Sequence, residues 1–234
     1  MCLLPHRIQR RTLLQRRTLL RAACGLAAAT ASVALPGVSH ADDHYVLDDV
    51  SRKVPKRGRV ACPDLEFEVY RGTHIRYKLP AKVFAGFRPR LAKFEEVARD
   101  LAIEMYGRAP ARLVHLGTYN CRRISAYPEW LSEHALGNAI DVAGFDFGRL
   151  ERDASLPEGA PSALRRPFVV RVVNHWNGTR GVTGHHAKFL RTLARRLIAR
   201  RDIFRVLLGP AWPGHHNHFH FDMAPFRMVE VFED

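Results

Sequence analysis

Two long stretches with helical hydrophobic spacing, set among short β-rich runs, constrain this chain most. Over residues 89–106, Leu91, Phe94, Val97, Ala98, Leu101, Ala102 and Met105 recur three and four positions apart, and Gly107 can end the helix. Over residues 185–200, Phe189, Leu190, Leu193, Leu197 and Ile198 do the same, with Arg191, Arg195 and Arg196 on the opposite face. Residues 112–118, 139–145, 168–173 and 218–223 read as strands, and 151–166, with Pro157, Pro161 and scattered charge, as a surface loop. Helices and strands mixed without a regular strand–helix alternation point to an α+β domain. No internal repeat or low-complexity tract interrupts it.

The first 41 residues have a different composition from the rest. They hold six arginines and no acid, followed over 22–35 by a small-residue apolar run and then by Pro36-Gly37 and Ser39-His40-Ala41. Basic region, apolar region and small-x-small cleavage site make an export signal, and the apolar run is shorter than the roughly 20 residues a membrane span needs. Arg10-Arg11 and Arg16-Arg17 each fit a twin-arginine signal. Without this segment the net charge drops from +14 to +8. That balance suits polyanionic surroundings, but the chain lacks an aromatic-interleaved basic motif for nucleic acid. Residues 42–60, polar and basic around Pro55 and Gly58, read as a flexible arm ahead of a domain spanning 61–234.

Cys2 and Cys24 leave with the signal, so the exported chain keeps Cys62 and Cys121. In an oxidising compartment these form one disulfide, worth roughly 3–4 kcal/mol for a loop of about 60 residues. The competing reading is two unrelated buried thiols.

Two segments carry the chemistry. The first is Ser132-Glu133-His134-Ala135-Leu136-Gly137-Asn138-Ala139-Ile140-Asp141, and the second is His215-His216-Asn217-His218-Phe219-His220-Phe221-Asp222. In an extended second segment, His218 and His220 share one face. In the first, a turn through Gly137 and Ala139 leading into a strand brings His134 and Asp141 together. Two imidazoles and one carboxylate suit zinc and leave a fourth position open, as catalytic sites do. His218 and His220 can share the cation or divide its duties, one ligating and one acting on substrate, and Arg122 or Arg123 can hold a substrate carboxylate. Ser132 reads as a brace for the His134 turn.

The pattern Ser-x-His-x-x-Gly-x-Ala-x-Asp with a distant His-x-His resembles the signature of lysostaphin-type, D-Ala-D-Ala and hedgehog-like metallopeptidases. More narrowly, Tyr119-Asn120-Cys121-Arg122, residues 132–145, Leu208-Gly209-Pro210 and residues 215–223 resemble the bacterial extensin-like C-terminal domain, over roughly 62–225. The resemblance implies a small antiparallel sheet flanked by helices, with a single zinc site on it. It implies His134, Asp141 and His220 as ligands, His218 beside the metal water, and His215 as a further active-site histidine. It also implies hydrolysis of peptidoglycan stem or cross-link peptides in the periplasm, by a D,D-endopeptidase or carboxypeptidase. Several D-Ala-D-Ala dipeptidases keep a glutamate shortly before the last ligand, where this chain has Ala211-Trp212-Pro213-Gly214. The base then falls to a histidine; otherwise the domain is a catalytically silent, zinc-containing module that binds the cell wall.

Overall fold

The computed structural model describes residues 44–233. The export signal read over 1–41 lies outside them. In chain order the elements are β1 (Phe67–Tyr70), β2 (Ala81–Phe84), α1 (Arg88–Tyr106), β3 (Arg112–Gly117), β4 (Ala139–Phe147) and β5 (Phe168–Arg171). There follow the single turn α2 (Val172–His175), then α3 (Gly181–Ala199), β6 (Val206–Leu208), β7 (Phe219–Asp222) and β8 (Met228–Glu230).

The mixed α+β class expected from the sequence is what forms, but the sheet that carries the site is larger than expected. Strands β1 and β2 make a separate antiparallel pair, while six strands join in one sheet, ordered β3-β4-β7-β6-β8 with β5 also on β4. That sheet is antiparallel except where β6 and β8 run parallel. Strand β3 lies along one edge of β4. The other edge is shared, with β7 pairing residues 139–142 and β5 pairing 144–147.

A bulge in β4 decides which residues face where. Val114 pairs with Gly144 and His115 with Val142, so Ala143 is skipped. Before it, Ile140 and Val142 enter the core; after it, Phe145 and Phe147 do, so the buried face changes from even to odd positions. Gly144 is required there, because a Cβ would lie 2.0 Å from the carbonyl oxygen of Val170. Helices α1 and α3 cover the apolar face through Phe94 against Phe221 (5.7 Å between ring centres) and Phe189 against Phe145 (5.6 Å). Asp141 and His220 alternate with these core residues and emerge on the other face.

Helix α1 begins with a proline in its first turn and ends on Gly107 in the left-handed region, φ 70°. Helix α3 starts four residues before the expected His185, because Val182 packs on the core and outweighs the poor helix propensity of Gly181-Val182-Thr183-Gly184. The strand expected over 168–173 ends at Arg171, where the chain turns into α2.

The segment expected as a flexible arm needs correction over its first half. Tyr45 and Leu47 are buried in the core, and the Arg52 guanidinium is buried against Glu133, Nε to Oε1 at 2.8 Å. Trp130 faces Lys53 in an antiparallel bridge, and the Val54 amide donates to the Glu129 carbonyl at 3.0 Å. Burying two aromatic or aliphatic side chains and a charged pair ties residues 45–54 to the domain. Cys62 and Cys121 are joined, with 6.0 Å between their Cα atoms.

Candidate metal centre

Strand pairing brings the first two donors together. Asp141 on β4 stands directly opposite His220 on β7, so their side chains project from the same face. His134 comes from a 3₁₀ turn (Glu133–Leu136) that leads into β4. Ser132 caps that turn by accepting from the His134 amide at 3.3 Å, the brace its position suggested. Gly137 ends it at φ 61°, where a Cβ would meet Phe84 and Phe67 within 3 Å.

His134 Nε2, Asp141 Oδ1 and His220 Nδ1 form a near-equilateral triangle with edges of 3.2, 3.2 and 3.0 Å. Donors about 2.0 Å from a tetrahedral ion are separated by ~3.3 Å, so the triangle fits one small cation. The far side of each imidazole is held as well. The Thr118 carbonyl accepts from His134 Nδ1 at 3.2 Å, and Asp222 Oδ2 accepts from His220 Nε2 at 2.7 Å. These acceptors keep the proton on the outer nitrogen of each ring and turn the inner lone pair toward Asp141. Three lone pairs converging within a few ångström are stable only around a cation or a proton. Among the described residues, His134, Asp141 and His220 are the group that could hold a metal ion.

The local field follows from this crowding. Burial opposes charge on His220, but Asp141 and Asp222 outweigh it and hold its pKa up at about 9. Burial likewise works against the Asp141 carboxylate, yet when protons rather than a cation occupy the centre, the hydrogen bonds from His134 and His220 win and keep it well below the usual carboxylate range. His218 goes the other way: burial pushes it down to about 4 despite the attraction of Asp141. Its Nε2 stands 3.5 Å from Asp141 Oδ1, outside the group of three. Its Nδ1 lies 2.7 Å from Asn217 Oδ1. His215 lies 4.8 Å from His218 between ring centres, and its Nδ1 donates to the Pro213 carbonyl at 3.1 Å.

The two arginines part company. Arg123 donates to the carbonyls of Pro55, Arg57 and Gly58 at 2.8, 3.1 and 3.0 Å, which commits its guanidinium to holding that loop. Arg122 meets the carbonyl of Arg123 at 3.4 Å, and its own carbonyl accepts from the Ser132 amide ahead of His134.

Some residues of the centre escape a reading of local motifs. Asp222 sits in the second segment, two positions after His220, and its role emerges only once both lie on one strand face. Behind His134, Glu133 takes Arg52 and accepts from Asn138 Nδ2 at 2.6 Å, while Tyr45 donates to Asn138 Oδ1 at 2.8 Å. Residues 45–52 therefore brace the metal turn from below.

Fold and site define an α+β protein with a His/Asp/His metal-competent centre on the open face of a six-stranded sheet. Residues 55–175, just over half of the chain, match the family described as extensin-like protein C-terminus. The chain belongs to that family. The matched span contains His134 and Asp141 and ends ahead of His218 and His220. No curated protein and no solved structure matches the chain.

Proposed function

We propose that this protein is an exported, zinc-dependent hydrolase of peptide bonds in peptidoglycan, of D,D-endopeptidase or carboxypeptidase type, related to the lysostaphin and D-Ala-D-Ala metallopeptidases. The observation that carries the reading is the triangle of two oriented imidazoles and one carboxylate with a further histidine beside it. Two nitrogens and one oxygen suit zinc, and three protein donors leave room for substrate. The arginine-rich, acid-free first 41 residues and the Cys62–Cys121 disulfide support export.

When bound, zinc supplies Lewis-acid polarisation of a scissile carbonyl and a lowered pKa for water. His134, Asp141 and His220 hold it, and Thr118 and Asp222 keep their rings aligned. His218, neutral at pH 7 and fixed through Asn217, takes the proton of the attacking water on Nε2 and returns it to the leaving amine. His215, packed on His218, completes the wall of the site. Arg122 takes a substrate carboxylate by paired N–H donation.

Digestion of purified sacculi by the mature protein, with and without chelator, tests this. New amino termini or freed D-alanine should appear only with metal, and His218→Ala should slow their release about 10²–10⁴-fold. Metal-dependent binding to sacculi without any cleavage product would instead make the domain a silent wall-binding module.

A further inference from the structure

Lys82 projects from the exposed face of β2, where the ordinary expectation is a solvated, mobile ammonium. It is instead held in a corner of two rings. Its Nζ lies 4.5 Å from the centre of Phe67 and 4.0 Å from that of Tyr119, and those rings meet edge-on at 4.9 Å. Such contacts fix a side chain that otherwise keeps much of its rotamer freedom. Among the described residues no carboxylate pairs with this ammonium. Glu68, the one acid in β1 and β2, sits opposite Val83 on the other face of the pair and meets Arg88 at 3.7 Å.

Both rings abut the metal turn. Phe67 packs on Gly137, where a Cβ would come within 2.9 Å of its ring. Tyr119 lies between Thr118, whose carbonyl holds His134 Nδ1, and Asn120, whose amide donates to the His134 carbonyl at 3.0 Å. The backbone of Lys82 joins the same web, since its carbonyl accepts from Thr118 Oγ1 at 2.8 Å. The disulfide ties the two ring-bearing segments together, five residues before Phe67 and two after Tyr119.

We infer that Lys82, held between Phe67 and Tyr119, is a carboxylate-binding subsite in the wall of the metal centre. It selects peptide substrates that carry an anionic group a few residues from the bond to be cut. One pre-positioned ammonium flanked by ring faces fits a carboxylate on an apolar stem. A phosphate ordinarily draws several backbone amides or arginines. The inference rests on the reading of the centre as one that takes peptides, and it gives Tyr119, the first residue of the Tyr119-Asn120-Cys121-Arg122 stretch, a task.

The test is binding, measured by calorimetry on the mature protein treated with chelator so that no turnover intervenes. The probes are a stem tetrapeptide with free side-chain carboxylates and its amidated counterpart. Wild type should bind the free acid about 5-fold more tightly, within the range of a partly exposed charge pair. Lys82→Met should lose that preference while binding the amide as wild type does, and Lys82→Arg should keep it. Zinc uptake by Lys82→Met should equal that of wild type, which separates loss of the subsite from damage to the turn. An unchanged preference in Lys82→Met, or equal binding of both peptides by wild type, overturns the subsite and leaves the peptide reading standing. Failure of wild type to bind either peptide overturns both.

Discussion

His218 and His220 lie two positions apart, yet their surroundings drive them in opposite directions. His220 is wedged between two carboxylates and held up at about 9, whereas His218 is pushed down by burial to about 4. One ring is built to face a cation, the other to stay neutral and accept a proton. Asp141 and Asp222 together raise His220, and Asp222 also fixes its outer nitrogen. Replacing it in Asp222→Ala should weaken zinc binding about 10–100-fold with the fold intact, the usual effect of removing such a partner. Competition with a chromophoric chelator measures that directly, and unchanged affinity would mean that the β4–β7 pairing alone orients His220. His134, Asp141 and the pair His218 and His220 were legible in the sequence because each segment is short and carries its own geometry, a glycine-bearing turn into a strand and a His-x-His strand; the family resemblance singled out His220. Arg52 was not legible. Its partner Glu133 lies 81 residues away, and nothing local separates a buried arginine from the exposed basic residues around it.

Among the elements, β4 does most to place the site. Its sequence Ala-Ile-Asp-Val-Ala-Gly-Phe-Asp-Phe contains two alternating runs out of phase, with Ala143-Gly144 between them. Only a bulge lets both runs bury their apolar members while Asp141 stays opposite His220. In Gly144→Ala the new methyl would collide with the Val170 carbonyl in a backbone region, φ 149°, that side chains rarely occupy. We expect a loss of about 3 kcal/mol or more, seen in urea denaturation, from moving β5 off β4. A loss below about 1 kcal/mol would show that the strand can realign. The two long helices were legible because each repeats its apolar stripe over several turns. Strands β1, β2, β6 and β8 were not: they are three or four residues long and are decided by pairing with distant partners, whereas β5 and β7, also four residues long, were marked by a β-rich apolar run and by the His-x-His pattern.

For the molecule as a whole, a buried histidine makes the fold sensitive to acid. His186 is buried beneath Phe168, with its Nδ1 3.0 Å from the Tyr106 hydroxyl, and burial holds its pKa down at about 3. An unfolded chain takes up that proton from about pH 6.5 downward, before the folded one can. Stability should therefore fall as the pH drops from about 6.5 toward 3, with His186 contributing up to about 1.4 kcal/mol per pH unit. His186→Phe should flatten that slope between pH 6 and 4 in denaturation curves, whatever its effect at pH 7; an identical slope would place the acid sensitivity elsewhere. Residues 45–54, through Arg52 on Glu133, brace the metal turn, so the centre draws on segments far apart in the sequence. His134, Asp141 and His220 are expected to hold one metal ion together. The direct measurement is calorimetric titration of zinc into metal-free wild type, His134→Ala, His220→Ala and His218→Ala. One zinc per chain is predicted for wild type and His218→Ala, with binding lost in the other two. Full zinc uptake by His134→Ala and His220→Ala, or its loss in His218→Ala to the same degree, would contradict the account.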